Sequence, residues 1–128
     1  MIVVDTHVLA YLYLPTDYTA KAEDLLQNDP EWVAPTLWRS EFRNVLALYL
    51  RKKLLTLDQA VAIQTEAESL LHESEYMVNS LDVVHLVQQS KCSSYDCEFV
   101  ALAQSLNVPL ITMDKQILKA FPTTAKPL

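Results

Sequence analysis

Four carboxylic acids stand where their chemistry matters: Asp5, Glu41, Asp96 and Asp114. Asp5 directly follows the apolar run Ile2-Val3-Val4, and Asp114 follows Leu110-Ile111-Thr112 by one residue. A carboxylate just after a short buried strand lies at the carboxyl edge of a sheet, where open α/β sheets bind their ligands. Asp96 opens an apolar-periodic segment three residues after Ser93. Glu41 lies on the stripe of Leu37, Trp38, Val45 and Leu48, which helical spacing directs toward the core. An ionised carboxylate there is costly unless it is paired or bound to a metal.

Three of the four acids also suit purely structural roles. Asp5 and Asp114 fit helix N-caps, and Ser93-x-x-Asp96 fits a capping box. Glu41 has no such local explanation, because Arg39 and Arg43, two residues away on a helix, point to other faces. Several carboxylates gathered in one cleft repel each other and take up protons or cations. Oxygen ligands without Cys or His favour magnesium or manganese over zinc. Such a site activates a metal-bound water and clamps a phosphate. Thr6, beside Asp5, and Thr112, two residues before Asp114, are candidate supporting hydroxyls, and Asn44 lies one turn from Glu41 where it can orient it. His7 reads as a packing or surface residue. Glu98 points about 200° round its helix from Asp96 and reads as solvated.

The elements that must position these residues follow from pattern. Ile2-Val3-Val4 reads as a buried strand, followed by a helix from Thr6 to Tyr13 that Pro15 ends. Asp17 is expected to cap a helix to Gln27, stopped at Asn28-Asp29-Pro30. Trp32-Val33-Ala34 reads as the second strand, and a long helix is expected from Thr36 to Lys53. Thr56-Leu57-Asp58-Gln59 is a capping box opening a helix to His72. Tyr76-Met77-Val78 is a third strand candidate, with a helix from Leu81 to Gln89 after it. Ser93 or Ser94 caps the next helix, whose apolar stripe is Tyr95, Phe99, Leu102, Ala103 and Leu106. Pro109 to Thr112 reads as a fourth strand and Asp114 opens a short helix to Ala120, leaving an irregular tail or an edge strand. Short apolar strands alternating with helices predict a parallel sheet covered on both faces.

Composition narrows the class. A chain of 128 residues, 51% hydrophobic and 20% charged, has the mass and balance for one globular domain. No apolar run is long enough to span a bilayer and the N-terminus lacks the basic region of a signal peptide, so the expectation is a soluble, reduced, cytoplasmic protein. Cys92 and Cys97 match neither a disulfide framework nor a zinc pattern. The absence of glycine excludes Gly-rich phosphate loops and leaves Asn28 and Asn107 to supply left-handed helix stops. A net charge of −6 argues against a nonspecific nucleic-acid binder, but not against an enzyme that holds nucleic acid through metal ions and a local basic patch. The run Arg51-Lys52-Lys53 suits a helix C-terminus.

Four segments carry a resemblance: Val4-Asp5-Thr6-His7-Val8-Leu9, Arg39 through Leu46, Ser94 through Ala103, and Pro109 through Asp114. In order, spacing and length the chain resembles the PIN-domain family, and within it the stand-alone VapC-type toxins of toxin–antitoxin pairs. The resemblance covers nearly the whole chain. It implies an α/β/α sandwich around a short parallel sheet and a magnesium- or manganese-dependent endoribonuclease. It also implies a homodimer silenced by a cognate antitoxin, whose segment enters a groove leading to the acids. By motif position Asp5, Glu41, Asp96 and Asp114 correspond to the family's acidic quartet and Thr112 to its frequent Ser or Thr. Relatives commonly carry Gly near Asn107, a role that Asn can fill. The competing readings are a PIN-like nuclease of RNA processing or DNA, and a catalytically silent binding module. The aliphatic residues Leu46, Leu50, Leu54, Leu55, Leu57, Val61, Ile63, Leu70 and Leu71 exceed what one domain readily covers, and point to a dimer face on the helical hairpin. Arg39, Arg43 and Lys115 are the cations expected to meet RNA.

Overall fold

A computed structural model describes residues 1–128. The strands are β1 (Ile2–Val4), β2 (Trp32–Pro35), β3 (Glu75–Tyr76), β4 (Leu110–Ile111) and β5 (Ala125–Lys126). The helices are α1 (Thr6–Tyr13), α2 (Thr19–Asn28), α3 (Trp38–Arg51), α4 (Leu57–Leu70), α5 (Ser80–Gln88), α6 (Ser94–Leu106) and α7 (Lys115–Ala120). The strands form one sheet in the order β3-β2-β1-β4-β5, and every pairing is parallel. β1, β2 and β4 are buried throughout, which is why they read as unbroken apolar runs.

The layers follow from this order. The chain moves from β1 outward through β2 to β3, then returns past β1 to β4 and β5. With right-handed crossovers, α1 to α4 fall on one face and α5 to α7 on the other. The expected α/β/α sandwich is thus the observed fold. The direction of winding reverses between β1 and β4, and the carboxyl ends of those two strands flank the site.

Several boundaries differ from expectation for local reasons. Asp17 does not cap α2: Tyr18 occupies the N-cap without a side-chain bond, and Thr16 and Thr19 hold the preceding turn. α3 begins at Trp38 rather than Thr36, because the Thr36 amide still donates to the Tyr76 carbonyl in the sheet. β3 lies one residue earlier than expected and ends before Met77, which is 89% exposed. Asn28 is helical and its helix ends without a left-handed residue, whereas Asn107 adopts φ 55° and closes α6 as anticipated. Lys53 and Glu73 also take positive φ, which nothing in their side chains signals. The capping box at Thr56 and Gln59 is present with both of its bonds.

The hairpin of α3 and α4 is better covered than its composition suggests. Leu46 and Leu71 are buried, and Leu50, Leu55, Ile63 and Leu70 pack against the core. Leu54, Leu57 and Val61 remain exposed. A second apolar area, absent from the sequence reading, comprises Met77, Leu81 and Val84 on and before α5.

Candidate active site

Register creates the first half of the site. Val4 of β1 lies opposite Ile111 of β4, so the next residues, Asp5 and Thr112, are neighbours across the sheet edge. The Thr112 hydroxyl donates to Asp5 Oδ2 at 2.7 Å and accepts from the Asp114 amide at 3.0 Å. Although Asp5 occupies the N-cap of α1, its side chain makes no cap hydrogen bond. The capping explanation therefore fails for Asp5. Asp114 does cap its helix, with Oδ1 accepting from the amides of Gln116 at 2.9 Å and Ile117 at 3.0 Å.

α3 supplies the second half. The Thr6 hydroxyl donates to Glu41 Oε1 at 2.8 Å, joining the first turns of α1 and α3. Glu41 is half-buried, and not in the core itself. Of the expected apolar stripe only Trp38 faces the core, with Phe42 and Leu46, while Leu37, Val45 and Leu48 share a cleft wall with Glu41. Asn44 lines that cleft, but no hydrogen bond links it to Glu41; Thr6 holds the carboxylate instead.

Asp96 comes from the first turn of α6, where the Ser93 hydroxyl accepts from its amide at 3.1 Å. Burial pushes its carboxyl above the ordinary range, Asp114 and Asp5 push it further, and hydrogen bonding at Ser93 partly offsets this. Burial likewise raises Glu41; the Thr6 hydroxyl opposes the rise, Asp5 and Asp96 add to it, and His7 eases it. Glu41 and Asp96 therefore each feel others of the quartet.

Asp5, Glu41, Asp96 and Asp114 all line one cleft of about 370 Å³, with Thr6, His7, Ser40 and Asn44. Neither Lys nor Arg is among its lining residues. Tyr95, expected in the core stripe of α6, is 59% exposed at this cleft. Its place one residue before Asp96 was the available signal. His7 is exposed at the cleft rather than packed away. Glu98 lies elsewhere as expected, yet it is half-buried, and burial raises its carboxyl.

The donor set fits a hard divalent cation. Oxygen ligands predominate, the acids repel, and no fixed side-chain cation lines the cleft to neutralise them. No group of three acids converges tightly enough to enclose one ion. A cation such as magnesium keeps several waters and takes only one or two carboxylates directly, so it does not require a tight group of three. Cys92 and Cys97 are free and buried, and burial raises both thiols, so neither is a reactive nucleophile.

Arg39 is not available to a ligand of this cleft. Its guanidinium donates from Nε and Nη2 to the two oxygens of Glu75, both at 2.6 Å, and from Nη1 to Glu68 at 2.8 Å. The Trp38 indole also donates to Glu75. This network ties the start of α3 to α4 and β3.

The chain belongs to the PIN-domain family, whose model matches residues 2–122. A curated relative, ribonuclease VapC3 of Pyrobaculum aerophilum, is 29% identical over 98% of both chains. The solved structure of FitAcB from Neisseria gonorrhoeae superposes with a TM-score of 0.76 at 15% identity, covering 98% of this chain and 96% of that one. A toxin–antitoxin complex from Klebsiella pneumoniae gives a TM-score of 0.61 at 18% identity, covering 91% of this chain and 90% of its own.

Proposed function

We propose that this chain is a magnesium- or manganese-dependent endoribonuclease, the toxin of a toxin–antitoxin pair, acting in the cytoplasm. The observation that carries this reading is a single cleft lined by four carboxylates from four separate segments and by no Lys or Arg. The named ribonuclease among its relatives supports RNA as the substrate, and the toxin–antitoxin neighbour supports a protein inhibitor. No helix is long and apolar enough to cross a membrane.

Asp5, Glu41, Asp96 and Asp114 would hold the metal, directly or through its waters. When bound, the ion supplies an acidic water and positive charge for the scissile phosphate. The chain's own part is orientation. Thr112 engages Oδ2 of Asp5, Thr6 engages Oε1 of Glu41, and the α7 amides engage Oδ1 of Asp114. In each case one oxygen is fixed by the fold and the other has no protein hydrogen bond. Such fixed carboxylates lose little freedom on binding a cation, as outer hydrogen bonds to metal ligands generally ensure.

The apolar wall of the cleft, Leu37, Val45 and half-exposed Leu48, suits an antitoxin segment lying toward the acids. A homodimer is part of the same proposal. The exposed apolar residues available for its face are Leu54, Leu57 and Val61 on the hairpin, and Leu81 and Val84 on α5.

The test is cleavage of RNA by the purified chain in manganese, in magnesium and in EDTA, beside Asp96→Asn. Cleavage only with metal, lost in the variant, is the expected result. Equal cleavage by wild type and variant would refute the assignment. Light scattering at micromolar concentration tests the dimer, which a monomer mass would exclude.

A further inference from the structure

We propose that Lys91, Lys115 and Lys119 form a docking site for the sugar-phosphate backbone of the substrate RNA, adjoining the acidic cleft at Asp114. The proposal rests on the ribonuclease reading for the identity of the polyanion. These three lysines, with Gln116 and Ala120, line a separate cleft of about 610 Å³. They are three of the ten Lys and Arg residues in a chain of net charge −6, so their convergence is a local reversal of sign.

Two elements build the cleft. Lys115 and Lys119 are one turn apart on α7, which puts both side chains on one face, with about 5–6 Å between their Cβ atoms. Lys91 comes from the segment between α5 and α6, and the Gln116 side chain donates to its carbonyl at 3.2 Å, tying that segment to α7. All three lysines are exposed, and none forms an ion pair.

The lysine cleft adjoins the acids on both elements. Lys115 directly follows Asp114. Lys91 lies five residues before Asp96, on the segment that leads into α6. A strand whose reacting phosphate sits at the acids meets strong repulsion from the rest of this protein. Nearby ammonium groups offset that repulsion for the flanking phosphates. Lysine suits the task as a point charge on a flexible stem that reads no sequence. Of the two cations that flank Glu41 in the chain, Arg39 is held by Glu75 and Glu68, while Arg43 donates to the Ser40 hydroxyl at 3.0 Å and forms no ion pair.

The test uses the full chain with Asp96→Asn, so that bound RNA is not cut. Affinity for a short fluorescein-labelled single-stranded RNA is read by anisotropy as salt is varied. Lys91→Gln, Lys115→Gln and Lys119→Gln are combined in one variant. A control combines Lys21→Gln, Arg51→Gln and Lys52→Gln, with the same change of charge away from the cleft. Three phosphate contacts contribute about 2 to the slope of log affinity against log salt. The parent should therefore lose roughly 20-fold more affinity than the cleft variant between ~50 and ~200 mM salt, and the control should follow the parent. In the active chain, the cleft substitutions should raise KM and leave kcat in place. Lys119→Gln alone should lower the slope by about 0.7, which covers the case of a triple variant that folds poorly.

Equal slopes in all chains, absence of binding, or an equal drop in the control would overturn the proposal. So would a fall in kcat at unchanged KM. Failure of the wild type to cut RNA would remove the ribonuclease reading, while the binding arm would still decide the lysine site.

Discussion

Asp5 and Glu41 are held by threonine hydroxyls from distant parts of the chain, whereas Asp96 follows the Ser93 cap of its own helix and Asp114 caps its own. Thr6 and Thr112 are the only polar residues fully buried in the molecule. A buried hydroxyl needs a partner, and here each donates to a carboxylate of the quartet. Asp114, by contrast, is exposed and makes an ordinary cap. The first pair is positioned by tertiary structure, the second by local helix geometry. Substitutions at the two pairs should therefore fail in different ways.

The largest effect is expected at Asp96. Asp96→Asn should lower RNA cleavage by at least about 100-fold, more than loss of an outer hydrogen bond to a ligand. Thermal melts should show manganese stabilising the wild type over EDTA, by mass action, and little difference in the variant. Identical melts of the wild type in both would remove the metal from the site.

The threonines should come next. Thr6→Val and Thr112→Val should each cost about 10–100-fold in activity or manganese affinity, because a carboxylate loses the bond that aims it. Thr6→Ser should recover most of this if the hydroxyl is what matters. Asp114→Asn separates the pairs: it keeps a cap acceptor, so melting should barely move while activity falls. Asp114→Ala should additionally lose about 1 kcal/mol of stability.

A smaller effect is expected from pH. Burial raises Glu41 and Asp96 above the usual carboxyl range, so the folded state binds their protons more tightly than the unfolded state. Without metal, the fold should gain stability as pH falls from neutral through those raised values, and lose that gain as pH rises. Glu75 has the opposite sign: hydrogen bonding from Arg39 lowers its carboxyl, so its contribution is present above the ordinary range and lost as pH falls through the depressed value. In EDTA, Glu41→Gln should be at least as stable as wild type at neutral pH and show a flatter dependence on acidification. A clear destabilisation would reveal a structural partner for Glu41.

The smallest effect on activity belongs to the ion pairs at the root of α3. Glu75→Gln leaves Arg39 with Glu68 alone and should cost roughly 1–2 kcal/mol by denaturant titration, since the guanidinium is partly exposed. Activity should change much less than with Thr6→Val, whose hydroxyl touches the carboxylate itself.

The sequence alone determined the order and type of the elements, and it singled out four acids that the fold brings to one cleft. Apolar runs of two or three residues, the capping signals at Thr56, Ser93 and Asp114, and Asn107 in place of a glycine are local features, and local chemistry reads them correctly. The family pattern lay in residue types and order, which need no coordinates. Tertiary structure decided what each polar group touches. Thr6 meets Glu41 across 35 residues and Thr112 meets Asp5 across 107, contacts that no helical or strand period encodes. It decided that Asp5 does not cap its helix, that Arg39 is neutralised by Glu75 and Glu68, and that three scattered lysines share a cleft. It also turned Leu37, Val45 and Leu48 of the apolar stripe around Glu41 toward an open cleft rather than the core. Periodicity fixes which residues share a helix face, but only packing against distant segments fixes what that face meets.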